Sequence, residues 1–214
     1  MKRTLATIVG IGLSFNVFAA PSALVESAVN VDSVMPFDFL EPGQVINLEE
    51  QGEIKLSYLD SCVTESVVGG KLTIGQNASE YDGPSIESST ADCAGTQLSL
   101  AANMAVHSGA VAMRDIDKSA LEPFKMHHAS PLFLLTEGGK YTLKRLDVVG
   151  ERHKFNVSPN TLGQTTLDMF SYDLKLAPGG KYMISGSGRS MVFEISAQPY
   201  VSKTVPIISR LIPL

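Results

Sequence analysis

The sequence predicts an all-β protein made of two small modules. Short runs of apolar and β-branched residues alternate with polar ones at period two, as half-buried strands do. Glycine, proline and asparagine break these runs at about 8–12-residue spacing, the rhythm of a sandwich or barrel. Only residues 115–128 have any helical character, and Pro123 limits it to a turn or two.

The chain opens with a leader pattern. Lys2 and Arg3 precede an apolar run over 5–18, and Val17 and Ala19 stand at minus three and minus one of a cut after residue 19. The run is shorter than the about 20 apolar residues a membrane span needs, and Ser14 and Asn16 interrupt it. Residues 1–19 therefore read as a secretory signal peptide, and the mature protein is expected in the periplasm or outside the cell. No cysteine near the cut offers a lipoprotein anchor.

Residues 20–34, small and polar, read as a flexible lead-in to an N-terminal β module over 35–114. Residues 44–59 alternate as a strand, a turn at Gln51-Gly52 and a second strand carrying Ile54, Leu56 and Tyr58. Gly69-Gly70 turns the chain into a strand over 71–74, and 75–92 reads as a polar loop. Short strands are expected over 98–101 and 111–114. Residues 115–128 form a linker, helical for a turn or two at most. A second module over 129–200 carries strands at 132–135, 141–146, 154–157, 166–170, 181–184 and 191–195. The last two flank Gly186-Ser187-Gly188, whose glycines suit a tight hairpin. An apolar tail, 201–214, follows, and its packing is open: a sheet edge, another subunit or a membrane.

Cys62 and Cys93 are the two cysteines. An even pair in an oxidising compartment most simply forms one disulfide, closing a loop of about 32 residues and contributing roughly 3–4 kcal/mol in the chain-entropy model. A metal or redox pair lacks the CxxC spacing it would want.

The net charge is −5, and without Lys2 and Arg3 fifteen basic residues face twenty-two acidic ones. That balance disfavours nucleic acid and anionic lipid as partners of the chain as a whole. It leaves an uncleaved leader or the tail as the expected routes to a membrane.

Two passages resemble known families. Residues 43–75 follow GxxIxLxxxGxIxLxYLxSCxxExVxGGxLxIG and resemble the FecR-like β domains of exported bacterial proteins, among them a proteobacterial group with a paired cysteine like Cys93. Residues 176–196 resemble the closing hairpin of Ig-like envelope domains. The resemblance implies a FecR-like β domain followed by an Ig-like sandwich in a cell-envelope protein. The membrane-anchored relay of FecR itself is not carried over, because no internal membrane helix is present.

Catalytic patterns are missing. There is no G-x-S-x-G, no G-x-x-x-x-G-K-[ST], no G-x-G-x-x-G before a helix and no calcium loop. His127 and His128 are adjacent and, in an extended chain, point to opposite faces. A zinc site would have to bring His107 or His153 to them, plus a carboxylate such as Asp115 or Asp117, and a hydrolytic site would combine His107, His127 or His128 with Asp115 or Asp117. The expectation is a non-enzymatic envelope protein with no cofactor and no metal, binding a protein or polymer. A small-ligand or metal carrier is the alternative, and an exported hydrolase the second alternative. Loops on rigid scaffolds often carry function, so the candidate interaction residues are Glu65, Gly69, Gly70, Gly186, Ser187, Gly188 and Arg189.

Overall fold

Residues 45–58 form the longest strand in the computed structural model, which describes residues 20–90, 123–202 and 204–214. The architecture is all-β, with two β modules. The N-terminal module is one antiparallel sheet of β1 (Ala23–Val29), β2 (Phe39–Leu40), β3 (Val45–Tyr58), β4 (Val63–Thr73), β5 (Glu80–Asp82) and β6 (Ser85–Thr90). Its order is β2-β1-β3-β4-β5, and β6 also pairs with β4.

Two expected turns are not turns. β3 runs unbroken through Gln51-Gly52, and β4 through Gly69-Gly70. The register shows the reason. Leu48 faces Gly70 and Glu53 faces Val68, so 49–52 oppose Gly69 alone. Surplus residues on one strand form a bulge that bends both strands without ending them. Gly69 and Gly70 supply the positive φ this needs, +65° and +78°, and a Cβ on Gly70 would meet the Asp82 carbonyl oxygen at 2.5 Å. Glycine pairs mark tight turns and bulges with the same residues. The bend brings Ile46 and Leu48 from one half of β3 into one core with Ile54, Leu56 and Tyr58 from the other.

The expected lead-in is also corrected. Residues 23–29 are β1, paired to β3 along its length, and Ala23, Leu24 and Val25 are fully buried. A register shift between Val25 and Ser27 breaks the alternation at Glu26, which hides the strand. The polar loop 75–92 likewise contains β5 and β6. β6 is serine-rich and exposed along its whole length, so it has no alternating pattern to detect.

The second module is a sandwich. One sheet has the order β10-β9-β12-β13-β7 and the other β11-β8-β14. The strands are β7 (Phe124–His128), β8 (Leu132–Leu135), β9 (Gly139–Arg145), β10 (Arg152–Val157), β11 (Thr165–Asp168), β12 (Lys181–Gly186), β13 (Arg189–Tyr200) and β14 (Leu211–Pro213). Phe133, Leu135, Leu167 and Ile212 from the smaller sheet share one core with Met126, Tyr141, Leu143, Phe155, Tyr182, Ile184 and Phe193 from the larger. The expected hairpin is present: Ser187 and Gly188, at φ +48° and +75°, join β12 to β13. Positive φ at both central residues is the signature of a type I′ turn, whose twist matches the strands.

Residues 124–128, expected in a linker, form β7 and pair in parallel with β13. Two histidines and a lysine mask the alternation of Phe124 and Met126. The apolar tail covers a sheet edge. Ile207–Arg210 make a 3₁₀ turn, and Leu211–Pro213 pair in parallel with β8. Ile208 and Leu211 then pack with Leu24 and Leu59 of the first module and Leu132 of the second. The module boundary is therefore an apolar seam sealed by the tail. The strands expected over 98–101 and 111–114, and Cys93, His107, Asp115, Asp117 and the leader, lie outside the described residues. No described helix is long and apolar enough to cross a membrane.

Candidate functional site

The seam opens on one side into a cleft of about 450 Å³. Met35, Phe37 and Phe39 form one wall, and Leu134, Leu135 and Pro213 the other. Asp38 and Arg189 bring opposite charges to it. Phe37 has φ +69°, a conformation costing a bulky residue on the order of 1–3 kcal/mol. The turn around it is held at four points. Phe37 N–H donates to the Val25 carbonyl (2.7 Å), Val25 N–H to the Asp38 carbonyl (2.9 Å), Asp38 N–H to the Met35 carbonyl (3.1 Å) and Met35 N–H to the Asp38 carboxylate (2.7 Å). The Gln164 amide reaches across the seam to the Pro36 carbonyl. A strained aromatic fixed this firmly gives the cleft a preformed apolar wall.

Of the residues singled out from the sequence, Arg189 lines this cleft and the others do not. Glu65 is buried on β4 and accepts the Ser79 N–H at 3.1 and 3.3 Å, latching the loop before β5. Beside it the Tyr58 hydroxyl shares a 2.6 Å hydrogen bond with Ser79 Oγ, and burial pushes the phenol up to about 12. Cys62, half-buried at φ +61°, precedes β4; its expected partner Cys93 lies outside the described residues. Gly69 and Gly70 serve the bulge. Gly186 lies flat against Tyr141, whose ring a Cβ would strike. Ser187 and Gly188 form the hairpin turn.

The three described histidines, His127, His128 and His153, do not converge. Ser130 N–H donates to His128 Nδ1 (3.0 Å), so that nitrogen is unprotonated, and Nε2–H donates to the Ser202 carbonyl (2.9 Å). Both nitrogens are thus committed to the backbone. His127 follows Lys125, and His153 faces Glu151 at 3.9 Å. Among the described residues no three histidine, cysteine, aspartate or glutamate side chains are placed to hold a metal ion.

Burial lowers the His128 pKa below the ordinary 6.5. The unfolded chain then takes up a proton at a higher pH than the folded one. The resulting stability is fully present above pH about 6.5 and is lost as pH falls through the folded value. Thermal melts between pH 7.5 and pH 5 are expected to fall, and His128→Gln is expected to flatten that slope. An unchanged slope in the variant would move the effect elsewhere.

The cleft wall at 35–40 was missed by sequence reasoning. The signal was present as a dense Met35, Phe37, Phe39, Leu40 cluster inside polar flanks, more apolar than a surface loop requires. No protein-family model, curated protein or solved structure matches the chain.

Proposed function

We propose that this chain is a non-catalytic, exported binding protein of the cell envelope, whose seam cleft takes an apolar segment of a protein or polymer partner. The leader pattern supports export. The observation that carries the binding reading is the cleft itself: an apolar wall built on a strained, four-point turn, with one cation and one carboxylate to orient what enters. Binding sites of this kind are mostly apolar with a few placed polar groups. The cleft is half-open, so it suits a segment that remains attached to a larger partner better than an enclosed ligand.

A photo-cross-linker at Thr136 in the native envelope tests this. One abundant cross-linked species is expected, weakened roughly tenfold by Arg189→Glu or Met35→Asp, which remove a placed charge and an apolar contact. No species above background, or one indifferent to both substitutions, would sink the reading. The volume also lies within the small-ligand range of about 300–1,000 Å³, which supports an amphipathic small molecule as second occupant. A ligand-dependent rise in melting temperature without a cross-linked macromolecule would favour it.

A further inference from the structure

The whole-chain charge averages two unlike modules. Residues 20–90 hold twelve acidic and two basic side chains, whereas 123–214 hold eleven basic and six acidic. The excess cations of the second module gather on one surface. Period-two alternation puts Tyr141, Leu143, Phe155, Tyr182 and Ile184 inside the sandwich and turns the intervening residues of the five-stranded sheet outward. These are Lys140 and Lys144 of β9, Arg152 and Lys154 of β10, Lys181 of β12 and Lys125 of β7. Glu194 of β13, paired in register with Lys181 and Lys125, is the one carboxylate that the described strands place on the same face. Lys144 stands directly opposite Arg152, a like-charge pairing that destabilises a sheet. Among the described residues none of the six cations forms an ion pair. Edge lysines can guard a sheet against aggregation, but Lys140, Lys144 and Lys181 lie on interior strands, where no edge needs guarding.

The β9–β10 connection supplies a second, independent observation. Leu146, Val148 and Val149 are 44%, 46% and 100% exposed. The loop is held rigidly. Arg145 binds Asp147 in bidentate fashion at 2.9 and 3.0 Å and reaches Glu151 at 3.2 Å. Leu146 N–H donates to the Lys181 carbonyl (2.7 Å), and Lys181 N–H to Asp147 (3.2 Å). The Tyr182 hydroxyl donates to Glu151 (3.1 Å). Both carboxylates of the loop are thus taken up by Arg145, and Lys144, Arg152 and Lys181 remain as net positive charge around an apolar tip.

We propose that this basic sheet face and its apolar tip dock the protein on an anionic phospholipid surface. Exposed aliphatic side chains flanked by lysine and arginine bind such surfaces by shallow insertion plus attraction to headgroups. The charge separation orients the molecule, with the acidic module facing away. Nucleic acid fits less well, because single strands are held by stacking on aromatic rings, and the apolar groups of this face, Met183 and Val192, are aliphatic.

Co-sedimentation of the purified protein with vesicles tests it, comparing phosphatidylcholine alone with equal parts phosphatidylcholine and phosphatidylglycerol. Binding to the anionic vesicles alone is expected, falling as salt rises. Val148→Asp/Val149→Asp and Lys144→Glu/Arg152→Glu are each expected to weaken it about tenfold or more, with melting temperatures held near wild type. Absence of binding to anionic vesicles overturns the proposal. So does equal binding to neutral vesicles untouched by either variant, the behaviour of a retained leader. Sedimentation without vesicles that Lys144→Glu/Arg152→Glu abolishes would assign the face to the acidic module of a second copy. Displacement by duplex DNA, with the two valines contributing nothing, would assign it to nucleic acid.

Discussion

Glu26→Ala is expected to destabilise the protein by about 3 kcal/mol and to lower its melting temperature by roughly 6–12 °C. Glu26 sits at the β1 bulge with its side chain 4% exposed. It accepts the Ser57 hydroxyl at 2.7 Å and pairs with Lys55 at 2.9 Å. It also accepts the N–H of Ile207 at 2.7 Å. Ile207 opens a 3₁₀ turn whose own preceding residue, Pro206, provides no side-chain cap. The carboxylate therefore caps an element of the other module from across the seam. Alanine leaves two donors without their acceptor, and a buried unmade hydrogen bond costs more than a made one contributes. Glu26→Gln separates the contributions. Its carbonyl oxygen still accepts both donors, and the lost partner, Lys55, is 43% exposed and can turn into water. A loss of about 1 kcal/mol is expected there. Equal losses in the two variants, read by denaturant titration, would mean that charge rather than capping is what matters.

Arg210→Ala is expected to cost about 2–3 kcal/mol. The guanidinium holds Asp168 through two hydrogen bonds, 2.6 and 2.8 Å, and lies 4.5 Å over the Phe170 ring. Asp168 in turn accepts the Phe170 N–H at 2.9 Å, capping the 3₁₀ turn of 169–172. The pair fastens the tail to β11. Arg210→Lys keeps the charge but loses the two-pronged geometry and the stacking, so it is expected to recover less than half of the loss. Full recovery by lysine, measured by thermal melting, would show that charge alone holds the tail.

The all-β class and most strands of the second module were legible because their alternation is regular: Tyr141 and Leu143, Tyr182 and Ile184, Phe193 and Ile195 each mark a buried face. What escaped was interrupted alternation. Glu26 breaks β1 because the strand bulges there to aim a carboxylate across the seam. Gly69 and Gly70 imitate a turn because bulges use the same backbone freedom, and Gly52 because the backbone of Glu49 and Asn30 crowds it. β7 hides behind Lys125, His127 and His128. Candidate-site reasoning favoured loops rich in glycine, and those glycines proved to shape strands and turns. Arg189 alone reaches the cleft, whose aromatic wall lies in a stretch read for its polar flanks. The total charge hides a division, since the sum over the chain conceals an acidic module and a basic one.

The cap between Glu26 and Ile207 spans 181 positions of the chain, and this sets an order in time. Synthesis delivers the first module long before the residues that seal it. Through that interval Leu24, Leu59, Phe37 and Phe39 have no tail against them, and Glu26 lacks the Ile207 N–H. Contacts so distant in sequence form late, and exposed apolar surface on a half-finished chain invites aggregation. Docking of the tail is thus a late step in closing the seam. Until it docks, the second wall of the cleft lacks Pro213 and Leu214, so the seam offers its full apolar surface only once the tail is in place.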